Sequence, residues 1–171
     1  MIQVDPELTV TLANRITDLV QNIKRCAVCN NLSDDDLCSI CSSTHRSDQV
    51  LCIVETFRDV IAIEETGQFS GKYHVLGGVI SPIDGIGPGD LFLDRLWARL
   101  KEHEVKEVIL AINPTMDGDT TNFYLYRKLN DLEINVSVIA RGVAFGGELE
   151  YADGVTLGHS ISARRPYQIQ E

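Results

Sequence analysis

The chain has 171 residues, 44% of them hydrophobic, which is enough to bury the core of one moderate domain with a small appendage. Its formal net charge of −10, from 15 basic and 25 acidic residues, argues against strong nucleic-acid binding, because DNA affinity depends largely on Lys and Arg that neutralise phosphates. No apolar run approaches the roughly 20 residues that span a membrane and no signal peptide opens the sequence, so we expect a cytoplasmic protein with reduced thiols.

An amphipathic helix is predicted over residues 7–24. Asp5 suits the N-cap position and Pro6 the first helical position. Apolar side chains then recur at three- and four-residue spacing: Leu8, Leu12, Ile16, Leu19, Val20 and Ile23. One helix with a single apolar face does not fold alone, so we expect the segment 1–25 to pack on the later domain or on another chain.

Two C-x-x-C pairs follow, separated by eight polar, turn-rich residues: Cys26 with Cys29, and Cys38 with Cys41. Each turn directs two sulfurs at one centre, and together they complete a tetrahedral thiolate site for Zn²⁺. The alternative is four free or disulfide-bonded cysteines. Because four sulfur ligands leave no open position for water or substrate, we predict a structural zinc module over residues 26–48.

Strands and helices alternate through the rest of the chain, which predicts an α/β fold with a mostly parallel sheet covered by helices. The predicted strands are residues 50–54, 73–80, 106–112 and 135–139, and the predicted helices are 58–65, one capped by Asp90, and 120–132. Cys52 is expected to be a small buried hydrophobe. The histidines form no catalytic set, and we expect them to be packing or surface residues: His45, His74, His103 and His159.

Acidic residues stand at the ends of two predicted strands. Glu55 follows the first strand, and Asp117 and Asp119 follow the third. Ligands of open α/β sheets gather beyond the carboxyl ends of strands, where such carboxylates suit a divalent cation that assists phosphoryl transfer. The alternative is that the segment 117–120 is a turn and helix cap.

Four motifs, in order and over essentially the whole chain, resemble the RecR family of bacterial recombination mediators. The first is the four-cysteine module with the strand-ending Glu55. The others are YHVLGGVISPIDGIGP from Tyr73, NPTMDGDT from Asn113 and GGELEYADGVTL from Gly146. The resemblance implies a zinc module, a Toprim domain over residues 49–150, and a C-terminal segment, 151–171, expected to contain a strand that exchanges between subunits.

The resemblance also implies a function in DNA repair and recombination. RecR-like proteins form dimers or tetramers shaped as rings or clamps, and act with RecO and RecF to load the recombinase on gapped or single-stranded DNA. Glu55, Asp117 and Asp119 match the acidic positions of the Toprim domain. In related topoisomerases and primases, the residues at these positions hold Mg²⁺. In RecR-like proteins, which are not known as enzymes, this acidic face is implicated in partner binding. We therefore expect a nucleoid-associated interaction module and not a catalyst.

One departure from the family pattern is large. RecR-like proteins begin with a helix-hairpin-helix segment that carries DNA contacts and one self-association surface, whereas this sequence starts at the helix before the first cysteine. We therefore expect a truncated form that keeps partner binding, binds DNA weakly and forms a dimer instead of a closed tetramer. The rival hypothesis is a magnesium-dependent Toprim nuclease or phosphotransferase that uses the three carboxylates.

Overall fold

The computed structural model describes residues 5–102, 104–143, 146–164 and 166. The chain divides into two compact units, Met1–Ser137 and Val138–Glu171. His103, residues 1–4 of the predicted N-terminal segment and residues 167–171 of the predicted exchanging segment lie outside the described residues. In the described parts of the chain, no helix has both the length and the hydrophobicity needed to cross a membrane.

The first unit opens with helix α1 (Pro6–Asn22). The predicted start is confirmed, since the Asp5 carboxylate accepts a 3.0 Å hydrogen bond from the Glu7 amide and Pro6 occupies the first turn. No described residue of α1 is buried, and Leu8 and Val20 are 69% and 72% exposed. Of the two expected packing partners, the described residues of α1 therefore do not use the later domain, and packing on another chain stays a prediction.

The segment that contains the four clustered cysteines follows α1 and is built from short elements. They are the paired antiparallel strands β1 (Lys24–Arg25) and β2 (Leu32–Ser33) and the short helix α2 (Ser39–Ser42).

A four-stranded sheet with covering helices forms the rest of the unit, which confirms the predicted α/β fold. Its elements are β3 (Val50–Val54), α3 (Phe57–Glu65), β4 (Lys72–Val75), α4 (Leu93–Glu102), β5 (Glu107–Ala111), α5 (Met116–Asn130) and β6 (Asn135–Val138). The strand order is β4-β3-β5-β6, and β3 pairs in parallel with both β4 and β5. The central position of β3 explains its continuous apolar sequence, because a strand covered on both faces needs no polar side.

Side chains of β3 alternate between two cores. Leu51 and Ile53 lie in a larger cluster with the leucines of α4 and α5, and Cys52 and Val54 lie in a smaller cluster with Val60 of α3. Cys52 is only 2% exposed, and burial raises the pKa of its thiol to about 12. It is therefore the small buried hydrophobe that the sequence predicts.

The predicted strand 73–80 is too long, because β4 ends at Val75. Gly77 has a φ of +87°, in the left-handed region where side chains other than glycine are strained, so the extended chain turns there. A Cβ atom at Gly77 would lie 2.9 Å from the Phe92 ring, which accounts for a glycine at this close approach.

Two predicted helix starts are also wrong. Asp90 belongs to a 3₁₀ turn (Pro88–Asp90), where its carboxylate accepts a 2.8 Å hydrogen bond from the Gly87 amide, and α4 begins only at Leu93. Helix α5 begins at Met116 instead of near residue 120, because the Thr115 hydroxyl accepts the Gly118 amide at 3.0 Å and caps the helix.

The second unit contains a 3₁₀ turn (Leu149–Tyr151) and helix α6 (Gly154–Ser162). The exchanging segment is expected to contain a strand, but its described residues form a helix instead, since residues 155–157 lie in α6. The Asp153 carboxylate caps this helix by accepting a 2.9 Å hydrogen bond from the Thr156 amide. Four apolar side chains of this unit are more than half exposed: Leu149, Tyr151, Val155 and Ile161.

Candidate metal centre and acidic strand ends

The four cysteines converge on one point. Their sulfur atoms all lie within 4.8 Å of one another, with 3.5 Å between Sγ of Cys29 and Sγ of Cys38. Tetrahedral zinc with bonds of about 2.3 Å places its sulfur ligands roughly 3.8 Å apart, whereas a disulfide needs about 2.05 Å. The separations therefore suit Zn²⁺, and the thiols are free, which excludes the disulfide alternative.

Local hydrogen bonds hold the two cysteine turns. The Cys26 amide donates to the Asn31 carbonyl at 2.7 Å, and the Asn30 amide donates to the Cys26 carbonyl at 3.0 Å, which closes the first turn. The second turn is the start of α2, where the Cys41 amide donates to Cys38 Sγ at 3.5 Å. Cys26, Cys29 and Cys38 are at most 3% exposed, so the site is closed to substrate.

Crowding of the thiols sets their protonation. A hydrogen bond with Cys38, then one with Cys41 and burial, raise the pKa of Cys29. The same hydrogen bond, with another from Cys41, lowers the pKa of Cys38 to about 2. Cys38 is thus the cysteine of this pair whose thiolate is favoured, and a divalent cation would favour the thiolate form of all four and release their protons.

The cysteine module covers the outer edge of the sheet. The amide of Val75 in β4 donates to the Cys29 carbonyl at 2.8 Å, and the Asn30 side-chain amide donates to the Val75 carbonyl at 2.9 Å. Asn30 is fully buried, with a φ of +63°. Ile40 of α2 packs against both the cysteines and the smaller core cluster. These contacts satisfy an edge strand that would otherwise offer unpaired backbone groups.

Asn30 is a structural residue that the sequence interpretation missed. Its position directly after a C-x-x-C pair was a signal, because asparagine tolerates the left-handed conformation that closes such a turn.

The predicted acidic residues occupy neighbouring strand ends. Glu55 directly follows β3, and its Oε2 accepts a 2.8 Å hydrogen bond from the side chain of Asn113, which follows β5. Asp117 and Asp119 lie in the first turn of α5, Asp117 half-buried and Asp119 exposed. Among the described residues, the four cysteines are the only group of three or more metal-ligating side chains close enough to share an ion. The structure thus does not gather the three carboxylates around one Mg²⁺.

Gly118 brings α5 against the end of β5. A Cβ atom at Gly118 would lie only 2.0 Å from the Asn113 carbonyl oxygen, so no other residue fits without moving the backbone. This glycine therefore fixes Asn113, and with it the hydrogen bond to Glu55. The fold thus places Glu55 and the first turn of α5 at neighbouring strand ends in a defined arrangement.

Comparison with known families covers most of the chain. Residues 23–43 match the four-cysteine zinc finger domain of RecR, residues 49–140 match "Toprim domain", and residues 142–165 match "RecR, C-terminal". A "Recombination protein RecR" of Parabacteroides distasonis is 52% identical over 169 residues, which are 99% of this chain and 81% of that protein. The chain belongs to the RecR family.

Other RecR proteins match at similar levels. The RecR of Porphyromonas gingivalis is 54% identical over 161 residues (94% of this chain, 78% of that protein), and the RecR of Flavobacterium psychrophilum is 52% identical over 157 residues (92% and 76%). The match to the RecR zinc finger domain spans all four clustered cysteines. Family and geometry together support structural zinc in this chain.

Proposed function

We propose that this chain is a RecR-type mediator of DNA repair and recombination, and that it works as an interaction module without catalysis. The observation that supports this proposal best is the sequence identity to RecR proteins, 52% and 54% over nearly the whole chain. In this proposal the protein acts with RecO-like and RecF-like partners to load the recombinase on gapped or single-stranded DNA. It resides in the cytoplasm, associated with the nucleoid.

Zinc has a structural role in the proposal. Cys26, Cys29, Cys38 and Cys41 supply the four thiolates, and the site supports the sheet edge instead of taking part in chemistry. We assign residues 26–48 to this module, 49–150 to the Toprim domain, and 1–25 and 151–171 to the flanking segments.

The partner surface is the acidic strand-end region of Glu55, Asp117 and Asp119. The support is its position beyond the carboxyl ends of β3 and β5, its exposed Asp119, and the chain's net charge of −10, which favours a basic partner. The net acidity also supports weak DNA binding by this chain alone.

Charge reversal tests this surface. Glu55→Lys and Asp119→Lys are expected to weaken binding of a RecO-like protein by at least about tenfold, measured by calorimetry at two salt concentrations. Glu102→Lys, which reverses an exposed carboxylate on α4, is the matched control and should leave the affinity unchanged. Equal affinities for all variants would refute the proposed surface.

Self-association is the second part of the proposal. Apolar side chains of α1, such as Leu12 and Ile16, are more than half exposed, and so are Val155 and Ile161 of α6. Exposed apolar surface of this extent supports contacts between subunits. Light scattering on the purified protein, with and without zinc, should give a dimer or tetramer, and a monomer at all concentrations would refute it.

The alternative is a magnesium-dependent nuclease or phosphotransferase. It is tested by incubating gapped and single-stranded DNA with the protein and Mg²⁺. We expect no turnover, and robust cleavage that Asp117→Ala abolishes would replace the mediator proposal with the enzymatic one.

A further inference from the structure

Arg99 of α4 is a buried cation that contacts the backbone of β4. The residue is 5% exposed, and its Nη1 donates a 2.8 Å hydrogen bond to the Tyr73 carbonyl. Among the described residues, no carboxylate forms an ion pair with it. Arginine is almost never fully buried unless it is paired, so the burial of Arg99 points to a nearby negative charge other than a directly paired carboxylate.

One side of Arg99 faces a cavity that a residue of the cysteine cluster also lines. A cavity of about 170 Å³ is lined by Arg99, Lys72 and Cys41, together with Val28, Leu37 and Asp48. Arg99 and one of the four cysteines thus face the same space. Four thiolates outweigh one divalent cation, so a zinc site of this type is formally a dianion.

Two more cations of the Toprim domain contact the backbone of cysteine residues. The Lys72 ammonium in β4 donates to the Cys41 carbonyl at 3.3 Å, and Arg95 Nη1 in α4 donates to the Cys26 carbonyl at 3.2 Å. Lys72 is also 2.7 Å from the Asp48 carboxylate, which anchors it beside the cavity, and its side chain is 12% exposed. Arg95 is exposed.

We propose that Arg99, Lys72 and Arg95 balance the negative charge of the zinc site and slow the loss of its metal. The inference rests on the proposed zinc ligation by the four cysteines. Because all three cations belong to the Toprim domain, they also tie metal retention to the docking of the cysteine module on the sheet. They act as positioning residues, since the hydrogen bonds described above are with backbone carbonyls and not with sulfur.

The test measures zinc release from the purified full chain into an excess of a chromogenic chelator. Arg99→Met and Lys72→Met are expected to release zinc about 10- to 100-fold faster than the parent, which is the usual effect of mutating residues that support metal ligands. Arg95→Met should have a smaller effect, because Arg95 is exposed. Arg99→Lys keeps the charge and should stay close to the parent rate. Lys24→Met is the matched control, because Lys24 lies outside the Toprim domain and pairs with the exposed Asp36 carboxylate of the cysteine module.

A spectroscopic readout separates charge balance from loss of ligands. With Co²⁺ in place of zinc, every variant should keep the sulfur-to-cobalt charge-transfer bands of the parent, because all four cysteines remain. If Arg99→Met does not fold, Lys72→Met decides the question.

The two proposals fail in different ways. A parent protein that binds no zinc would refute ligation by the cysteines. A parent that holds one zinc per chain, with release rates for Arg99→Met, Lys72→Met and Arg95→Met equal to that of Lys24→Met, would overturn the charge-balance proposal and leave ligation intact.

Discussion

The amide of Val75 donates a 2.8 Å hydrogen bond to the carbonyl of Cys29, so the edge strand of the Toprim sheet is completed by a residue of the cysteine cluster. The side-chain amide of the adjacent Asn30 donates a 2.9 Å hydrogen bond to the Val75 carbonyl. An edge strand that lacks such cover is open to solvent and to pairing with other chains. Order in the cysteine module and protection of β4 are therefore coupled.

Removing zinc should expose β4. Without the metal, repulsion among the thiolates loosens the turn that presents the Cys29 carbonyl, and the Val75 amide loses its acceptor. We expect hydrogen exchange at the Val75 amide to accelerate at least about tenfold after chelation. This corresponds to a fall of about 1.4 kcal/mol in the free energy of local opening. Val108 in β5 provides the internal control, and its exchange should hardly change. Unaltered protection of Val75 would contradict the coupling.

Replacing Asn30 separates its two contributions. Asn30→Gly keeps access to the observed φ of +63° but removes the side-chain hydrogen bond to Val75, which should cost about 1–3 kcal/mol. Asn30→Ala also adds left-handed strain of about 1–2 kcal/mol. Urea unfolding of the zinc-loaded protein measures both. Equal stabilities of the glycine and alanine variants would show that backbone strain at this turn is unimportant.

Adding one methyl group at Gly118 should distort the acidic surface. The new Cβ would lie 2.0 Å from the Asn113 carbonyl, so the start of α5 must move, at a cost of about 1–3 kcal/mol in stability. Gly158, in the middle of α6 with no atom within 4 Å of a Cβ, is the matched control, and Gly158→Ala should stabilise that helix by about 0.5–1 kcal/mol. Thermal unfolding that ranks the two variants in the opposite order would refute this packing.

Most of the architecture could be predicted from the sequence because its signals are local. The C-x-x-C turns, the cap at Asp5 and the apolar run of β3 each depend on a few neighbouring residues, and all three are confirmed. The wrong helix starts have a different origin. Thr115 and Asp90 are both suitable caps by sequence, and only the approach of the surrounding backbone decides which one begins a helix.

The candidate site was harder to predict, because it depends on contacts across the fold. That Glu55 and the residues after β5 share one sheet edge follows from strand alternation, and the hydrogen bond between Glu55 and Asn113 confirms it. The cations around the cysteines could not be found this way. Arg99 is 58 residues beyond Cys41 in the sequence, and no local pattern indicates that they line one cavity.

Glu64 should stabilise the domain only while it is ionised. Its carboxylate forms an ion pair with Arg46 and accepts the buried Tyr73 hydroxyl at 2.7 Å. Burial alone would raise the pKa of Glu64, but the hydrogen bonds from Arg46 and Tyr73 lower it below the usual value of 4.5. Since the pKa is lower in the folded state, the contribution is complete above about pH 4.5 and disappears as the pH falls through the folded value.

The corresponding variant is Glu64→Gln. It should lose about 2 kcal/mol at pH 7, measured by urea unfolding, because the contacts with Arg46 and Tyr73 both lose the negative charge of the carboxylate. The difference from the parent should shrink as the pH falls below 4.5, because the carboxylate takes up a proton first in the unfolded parent and, at lower pH, in the folded one. Glu65→Gln, which neutralises the next, exposed carboxylate, should have almost no effect. A stability difference for Glu64→Gln that is independent of pH would contradict this assignment.

His74 should lower the stability of the folded protein in mild acid, at a higher pH than Glu64 does. Its ring is fully buried in β4, and its Nε2–H donates to the Phe92 carbonyl at 2.8 Å. Nδ1 is buried and has no partner among the described residues. The pKa of His74 is lowered from 6.5 to about 4, chiefly by burial. The hydrogen bond to Phe92 raises this pKa, and the positive charges of Arg99 and Arg95 lower it.

The sign of the effect follows from proton uptake. Between pH 6.5 and about 4 the unfolded chain binds a proton at His74 that the folded chain does not, so stability falls as the pH falls. The full difference across this range is about 3 kcal/mol. His74→Gln can keep a donor toward the Phe92 carbonyl but cannot titrate, so its stability should fall less steeply over the same range. Urea unfolding at several pH values gives both slopes.

Comparing variants under identical conditions removes the contribution of zinc. Acid also protonates cysteine thiolates, but the parent and His74→Gln share the cysteine cluster, so the difference between their slopes reports on His74 alone. His45→Gln removes an exposed histidine and should keep the slope of the parent. If His74→Gln and His45→Gln lost stability equally steeply between pH 6.5 and 4, the buried neutral state of His74 would be refuted.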